Sequence, residues 1–116
     1  MCSYNNKVLQ LALTAMLILL PSFARATSII DVLDLPAKAS PLAQRSPLLD
    51  VSRAGELLVS VGHRGHILYS DDAGQSWQQA QVPVSSDLNA VHFPSAQFGW
   101  AVGNDGVILH SRDAGA

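Results

Sequence analysis

The sequence predicts an all-β chain assembled from small sheets of four antiparallel strands, and three observations carry that prediction. Residues 61–74, VGHRGHILYSDDAG, return forty-one positions later as VGNDGVILHSRDAG at 102–115, with nine of fourteen positions identical. Downstream of residue 47, short apolar runs rich in β-branched side chains alternate with clusters of Gly, Asn and Asp, the pattern of strands joined by tight turns. No stretch of that region spaces its apolar residues as one face of a helix would require. A period near forty that carries strands and Gly-rich turns is the signature of β-propeller blades.

The first third stands outside this pattern. Lys7 and the α-amino group supply positive charge, residues 8–20 form an apolar run interrupted only by Gln10 and Thr14, and Pro21 ends it. Ala24 and Ala26 are small residues at the spacing a signal peptidase reads, so 1–26 is expected to be an export signal cleaved after Ala26. The run is shorter than the about 20 residues that cross a bilayer. Cleavage removes Cys2, Lys7 and Arg25, taking the formal net charge from −2 to −4 and leaving no cysteine for a disulfide. The remaining basic residues, Lys38, Arg45, Arg53, Arg64 and Arg112, are scattered along the chain and form no stripe, which argues against nucleic acid as a partner. Residues 27–47 read as a linker: 27–35 suits a short strand or an amphipathic turn equally, and Pro36, Pro41 and Pro47 cannot donate to a strand ladder.

The first unit, 48–87, holds strand signals at 48–52, 56–61, 66–70 and 76–82, separated by turns at 53–55, 62–65 and 71–75. Four strands in so short a span match one blade. The second unit, 88–116, repeats the first three at 88–93, 99–102 and 107–110, and Asn104-Asp105-Gly106 is a strong hairpin signal because these residues tolerate left-handed backbone angles. Two units leave apolar faces and strand edges uncovered, and repeat arrays need about three units for stability, so the sequence reads as part of a longer protein.

Ser70, Asp72, Gly74, Ser76 and Trp77 fit the Asp-box pattern Ser/Thr-x-Asp-x-Gly-x-Ser/Thr-Trp, and Ser111, Asp113 and Gly115 repeat its first half. A carboxylate there can accept turn N–H groups, serine hydroxyls can tie the strand ends, glycine lets the chain double back, and tryptophan offers a face for packing on the adjoining sheet. Because the aspartate recurs once per unit, it is assigned to the turn and not to catalysis or calcium. No residue is assigned as catalytic, and no metal, cofactor or small-molecule substrate is expected. His63 and His66 form a His-x-x-His spacing, but their counterparts Asn104 and Val107 are not such ligands and no third ligand stands nearby. Glu56 is the one glutamate, and the serines at 85, 86 and 95 lack the context of a nucleophile elbow. Trp77 and Trp100 are expected in core or inter-blade packing.

The longer segment 98–115, FGWAVGNDGVILHSRDAG, resembles the repeat of the photosystem II stability and assembly factor family, in which Gly-Trp-x-Val-Gly-x-x-Gly-x-Ile-Leu leads into an Asp box. The resemblance covers 48–116. It implies about two blades of a seven-bladed propeller, exported to a periplasm or thylakoid lumen, acting as a non-enzymatic scaffold for a membrane-protein complex. Ala73 and Ala114 stand where the family often has a second glycine, a mild change if φ is negative there. The alternative from a different class is the N-terminal piece of an Asp-box glycosidase, sialidase-like, or of a sugar-binding protein.

Overall fold

The computed structural model describes residues 28–114. The export signal expected over 1–26 and Gly115 of the second Asp box lie outside the described residues. The fold is all-β. Strands β1 (Leu48–Ala54), β2 (Leu57–Gly62), β3 (Ile67–Ser70) and β4 (Gln78–Gln79) form one sheet in that order, and β5 (Leu88–His92), β6 (Gly99–Gly103) and β7 (Ile108–Ser111) form a second. Every neighbouring pair is antiparallel, so the two sheets are successive blades of a propeller.

The turns follow from their residues. Arg64 and Gly65 both take positive φ, 58° and 71°, as do Asp105 and Gly106, at 58° and 74°. His66 N–H and Val107 N–H close these turns onto the carbonyls of His63 and Asn104, each at 3.1 Å. Positive φ at both central residues is the type I′ turn, whose twist matches that of a hairpin. Glycine precedes each turn for a different reason. A Cβ on Gly62 would lie 2.3 Å from the Pro47 carbonyl oxygen, and one on Gly103 would lie 2.0 Å from that of Asp87.

Pro47 and Asp87 are forty positions apart, not forty-one, and the offset is informative. β1 pairs Ser52 with Val59, while β5 pairs His92 with Trp100, so the first strands repeat at forty and the second and third at forty-one. The extra residue sits in the β5–β6 loop, where Ser95 Oγ accepts the N–H of Phe98 at 3.0 Å. Asp50 therefore corresponds to Ala90, and Ser52 to His92.

The core lies between the sheets. Val59 and Val61 of β2, with Ile67 and Tyr69 of β3, face Leu88, Val91, Ala101 and Leu109 of the second blade. Small residues at Gly99 and Ala101 make room there: a Cβ on Gly99 would lie 2.3 Å from the Phe93 ring. The opposite face of the second sheet carries Trp100, 47 % exposed and stacked on His110 at 4.1 Å, together with Val102 and Ile108. Of the two placements expected for Trp100, core or inter-blade packing, this removes the core between the two described sheets, since strand alternation turns it away from the first sheet.

The outer strand is shorter than the 76–82 expected, pairing only at Gln78 and Gln79 and then through Ala80 N–H to Ile67 O at 2.9 Å. Its free edge is taken by the N-terminal segment, which lies along the first blade as a strap. Ala37 N–H donates to Val82 O (2.9 Å), Ser40 N–H to Gln79 Oε1 (3.0 Å), Gln79 Nε2 to Lys38 O (3.0 Å) and Gln44 Nε2 to Trp77 O (2.9 Å). A covered edge cannot recruit a stray strand.

Candidate functional site

The Asp box between β3 and β4 gathers Ser70, Asp72, Gly74, Ser76 and Trp77 into one hydrogen-bonded turn. Ser70 Oγ donates to Asp72 Oδ1 at 2.7 Å and accepts Gly74 N–H at 2.8 Å. Asp72 Oδ1 also accepts Ser76 N–H at 2.8 Å, and its Oδ2 takes the Ser76 hydroxyl. Both carboxylate oxygens are thus engaged within the turn. The Ser76 hydroxyl, then its N–H, then the Ser70 hydroxyl hold the Asp72 carboxyl down at about 2, from an ordinary value of 3.8, because each bond favours the ionised form. Trp77 folds back on its own loop, donating Nε1–H to Gly74 O at 3.1 Å, and does not join the inter-sheet core.

The second turn holds Ser111 and Asp113 in the same relation, with Ser111 Oγ donating to Asp113 Oδ1 at 3.1 Å and Ala114 N–H to Gln97 O at 2.9 Å. Ala73 and Ala114 sit at φ 61° and 62°. The expectation that alanine fits there with negative φ is therefore corrected: both turns need the left-handed region, where a Cβ is strained.

Other polar groups join the blades and were not singled out from the sequence. Val91 N–H donates to Asp50 Oδ2 at 2.8 Å, and Phe93 N–H to Ser52 Oγ at 3.1 Å, so two side chains of β1 satisfy the free edge of β5. Asp87, at the start of the second blade, accepts Arg64 N–H at 2.8 Å and meets His63 Nδ1 at 2.9 Å across the first blade's turn. The Arg64 N–H first, and His63 second, lower the Asp87 carboxyl below its ordinary range. The second blade's own β6–β7 turn is likewise tied down by Ser86, which bonds Asp105, and by Asn89, whose Nδ2 donates to Asn104 Oδ1 at 2.8 Å. His63 and His66 do not converge on one point: His63 is turned to Asp87, whereas His66 is buried with Nδ1 unpartnered. An acid inside the run Leu48-Leu49-Asp50-Val51 is the one signal in the sequence for these joints.

The arrangement is a pair of blades in which Asp50, Asp72, Asp87, Asp105 and Asp113 are engaged in turns and joints, and comparison with known proteins agrees with that architecture. No curated protein sequence matches the chain. A solved structure, described as YCF48 bound to D1 peptide, is similar at 27 % identity with a TM-score of 0.55, over 60 % of this chain and 24 % of that one. The chain thus spans about a quarter of that relative's length. The family model described as Photosynthesis system II assembly factor YCF48 matches residues 36–116, which takes in the docked strap as well as both blades. With a match across most of its length and the blades to accompany it, the chain belongs to the YCF48 family of photosystem II assembly factors.

Proposed function

We propose that the chain is an exported, non-enzymatic scaffold that acts in photosystem II assembly by holding a membrane-protein partner against its blades. The observation that carries this reading is the family match over 36–116, together with a similar solved protein described with a bound D1 peptide. The assignment as a scaffold draws support from the Asp box, where both oxygens of Asp72 are occupied by the turn. The export step draws on the signal pattern ending at Ala26.

Affinity purification of the tagged full-length protein from detergent-solubilised membranes of its own host tests the partner. Recovery of a photosystem II membrane subunit is expected, and recovery of no membrane protein overturns the proposal. N-terminal sequencing of the exported protein tests the address, with Thr27 expected as the first residue.

A further inference from the structure

The frame of forty residues shared by the first strands reaches back into the strap. Pro47 and Asp87 stand at equivalent places in it, each accepting the N–H that opens a turn, from His63 at 3.3 Å and from Asn104 at 2.9 Å. Counted back in that frame, Lys38 and Ala39 fall where Gln78 and Gln79 form β4. The strap therefore carries an outer strand that has no sheet of its own. Both residues are exposed, and Lys38 N–H and the backbone groups of Ala39 meet no partner among the described residues. The second sheet is the complement. β4 covers β3 in the first sheet, whereas no strand among the described residues lies beyond β7 in the second. A cleft of about 410 Å³ opens along β7, walled by Leu109 and His110 and by Val82 and Pro83 of the first blade. On the outer face of that sheet, Trp100, Val102, Ile108 and His110 stand one repeat of forty-one residues after Val59, Val61, Ile67 and Tyr69. Those four residues of the first blade pack in the seam with the second. The open face thus repeats a surface that already seats a blade.

We propose that a second copy of this chain occupies both places, setting its first blade on the face of Trp100 and Ile108 and adding its Lys38 and Ala39 backbone to β7 as a fourth strand. Pairing in the first sheet sets Leu68 against Gln79 and Tyr69 against Gln78. By the same register, Ala39 of one copy lies across from Leu109 of the next, and Lys38 across from His110. The first blade is equipped for such a joint. Val91 N–H takes its acceptor from Asp50 of the preceding blade, but the equivalent Val51 N–H is met by Asp50 Oδ1 of its own strand at 2.9 Å. It asks nothing of Ala90, which stands where Asp50 stands one repeat earlier. The contact is head-to-tail, so it propagates until the array closes, and two blades per copy give a ring with an even number of blades. The roughly four to eight blades of propellers then correspond to roughly two to four copies. This self-association is separate from the membrane-protein partner, and the purified protein alone tests it.

Native mass spectrometry and light scattering of the exported protein are expected to show a species of roughly two to four copies that dissociates on dilution. Ile108→Lys puts a charge on a residue 67 % exposed in the single chain and covered in the ring, and is expected to raise the dissociation constant at least about tenfold. Ile29→Lys, at a residue 96 % exposed and outside the contact, leaves assembly unchanged. Circular dichroism checks that both variants keep the β signal. Register is read by cysteine cross-linking in a Cys2→Ser background, where a Lys38→Cys chain is mixed with a His110→Cys chain and oxidised. The disulfide is expected between unlike chains, because residues directly opposite in an antiparallel pair hold their Cβ atoms within about 5.5 Å. A single copy at every concentration, equal loss in Ile108→Lys and Ile29→Lys, or disulfides between like chains only overturns the proposal.

Discussion

Asp72 and Ala73 are adjacent in one turn and act on its stability in opposite directions. The Asp72 carboxyl titrates at about 2 in the folded chain, below its ordinary 3.8, so its contribution is present above 3.8 and is lost as pH falls through about 2. Asp72→Asn removes that titration, and acid unfolding followed by Trp77 fluorescence is expected to lose much of its dependence on pH between those values. The depressed Asp87 carboxyl contributes with the same sign, so the variant does not abolish the dependence. Ala73, by contrast, holds a Cβ at φ 61°. Ala73→Gly is expected to stabilise the chain by about 1 kcal/mol, read as a higher midpoint in urea, because relief of the left-handed strain outweighs the freedom glycine adds to the unfolded state. The spacing of Ser70, Asp72, Gly74 and Ser76 names the turn they form, but the sign of φ at Ala73 was not legible: a turn's length does not say which of its residues goes left-handed.

At the scale of elements, the hairpins were legible and the seams were not. Asn104-Asp105-Gly106 predicts its turn through residues that tolerate positive φ, and the structure forms that turn at Asp105 and Gly106. The outer strand was overestimated because its apolar run continues past Gln79 while its hydrogen-bonding edge is taken by a strap forty residues upstream, a contact that no local pattern encodes. Likewise the bonds from Asp50 and Ser52 depend on a forty-residue offset set by one extra residue in the β5–β6 loop. Asp50→Ala leaves the Val91 amide facing an apolar gap, and the expected cost is about 2 kcal/mol in chemical denaturation. Faster hydrogen exchange at Val91 than at the β6–β7 ladder would locate the damage in the seam.

Across the whole molecule, the two blades share one core and are expected to unfold together. Leu88 and Val61 are each 0 % exposed and belong to opposite sheets. Leu88→Ala removes packing from both faces at once and is expected to cost about 3 kcal/mol. In a Trp100→Phe background, where Trp77 is the one tryptophan, far-ultraviolet dichroism and fluorescence should still report a single shared transition, since Trp77 sits in the first blade and the Leu88 substitution in the second. Two separate transitions would mean that the blades fold independently.

The paired acceptors of β1 have a mechanical consequence as well. If one blade slid past the other by a single residue, the amides of Val91 and Phe93 would face Val51 and Arg53, and neither of those side chains carries an oxygen. The joint therefore behaves as a detent that opposes tangential slippage, and the seating of one blade on the next is indexed by two oxygen atoms.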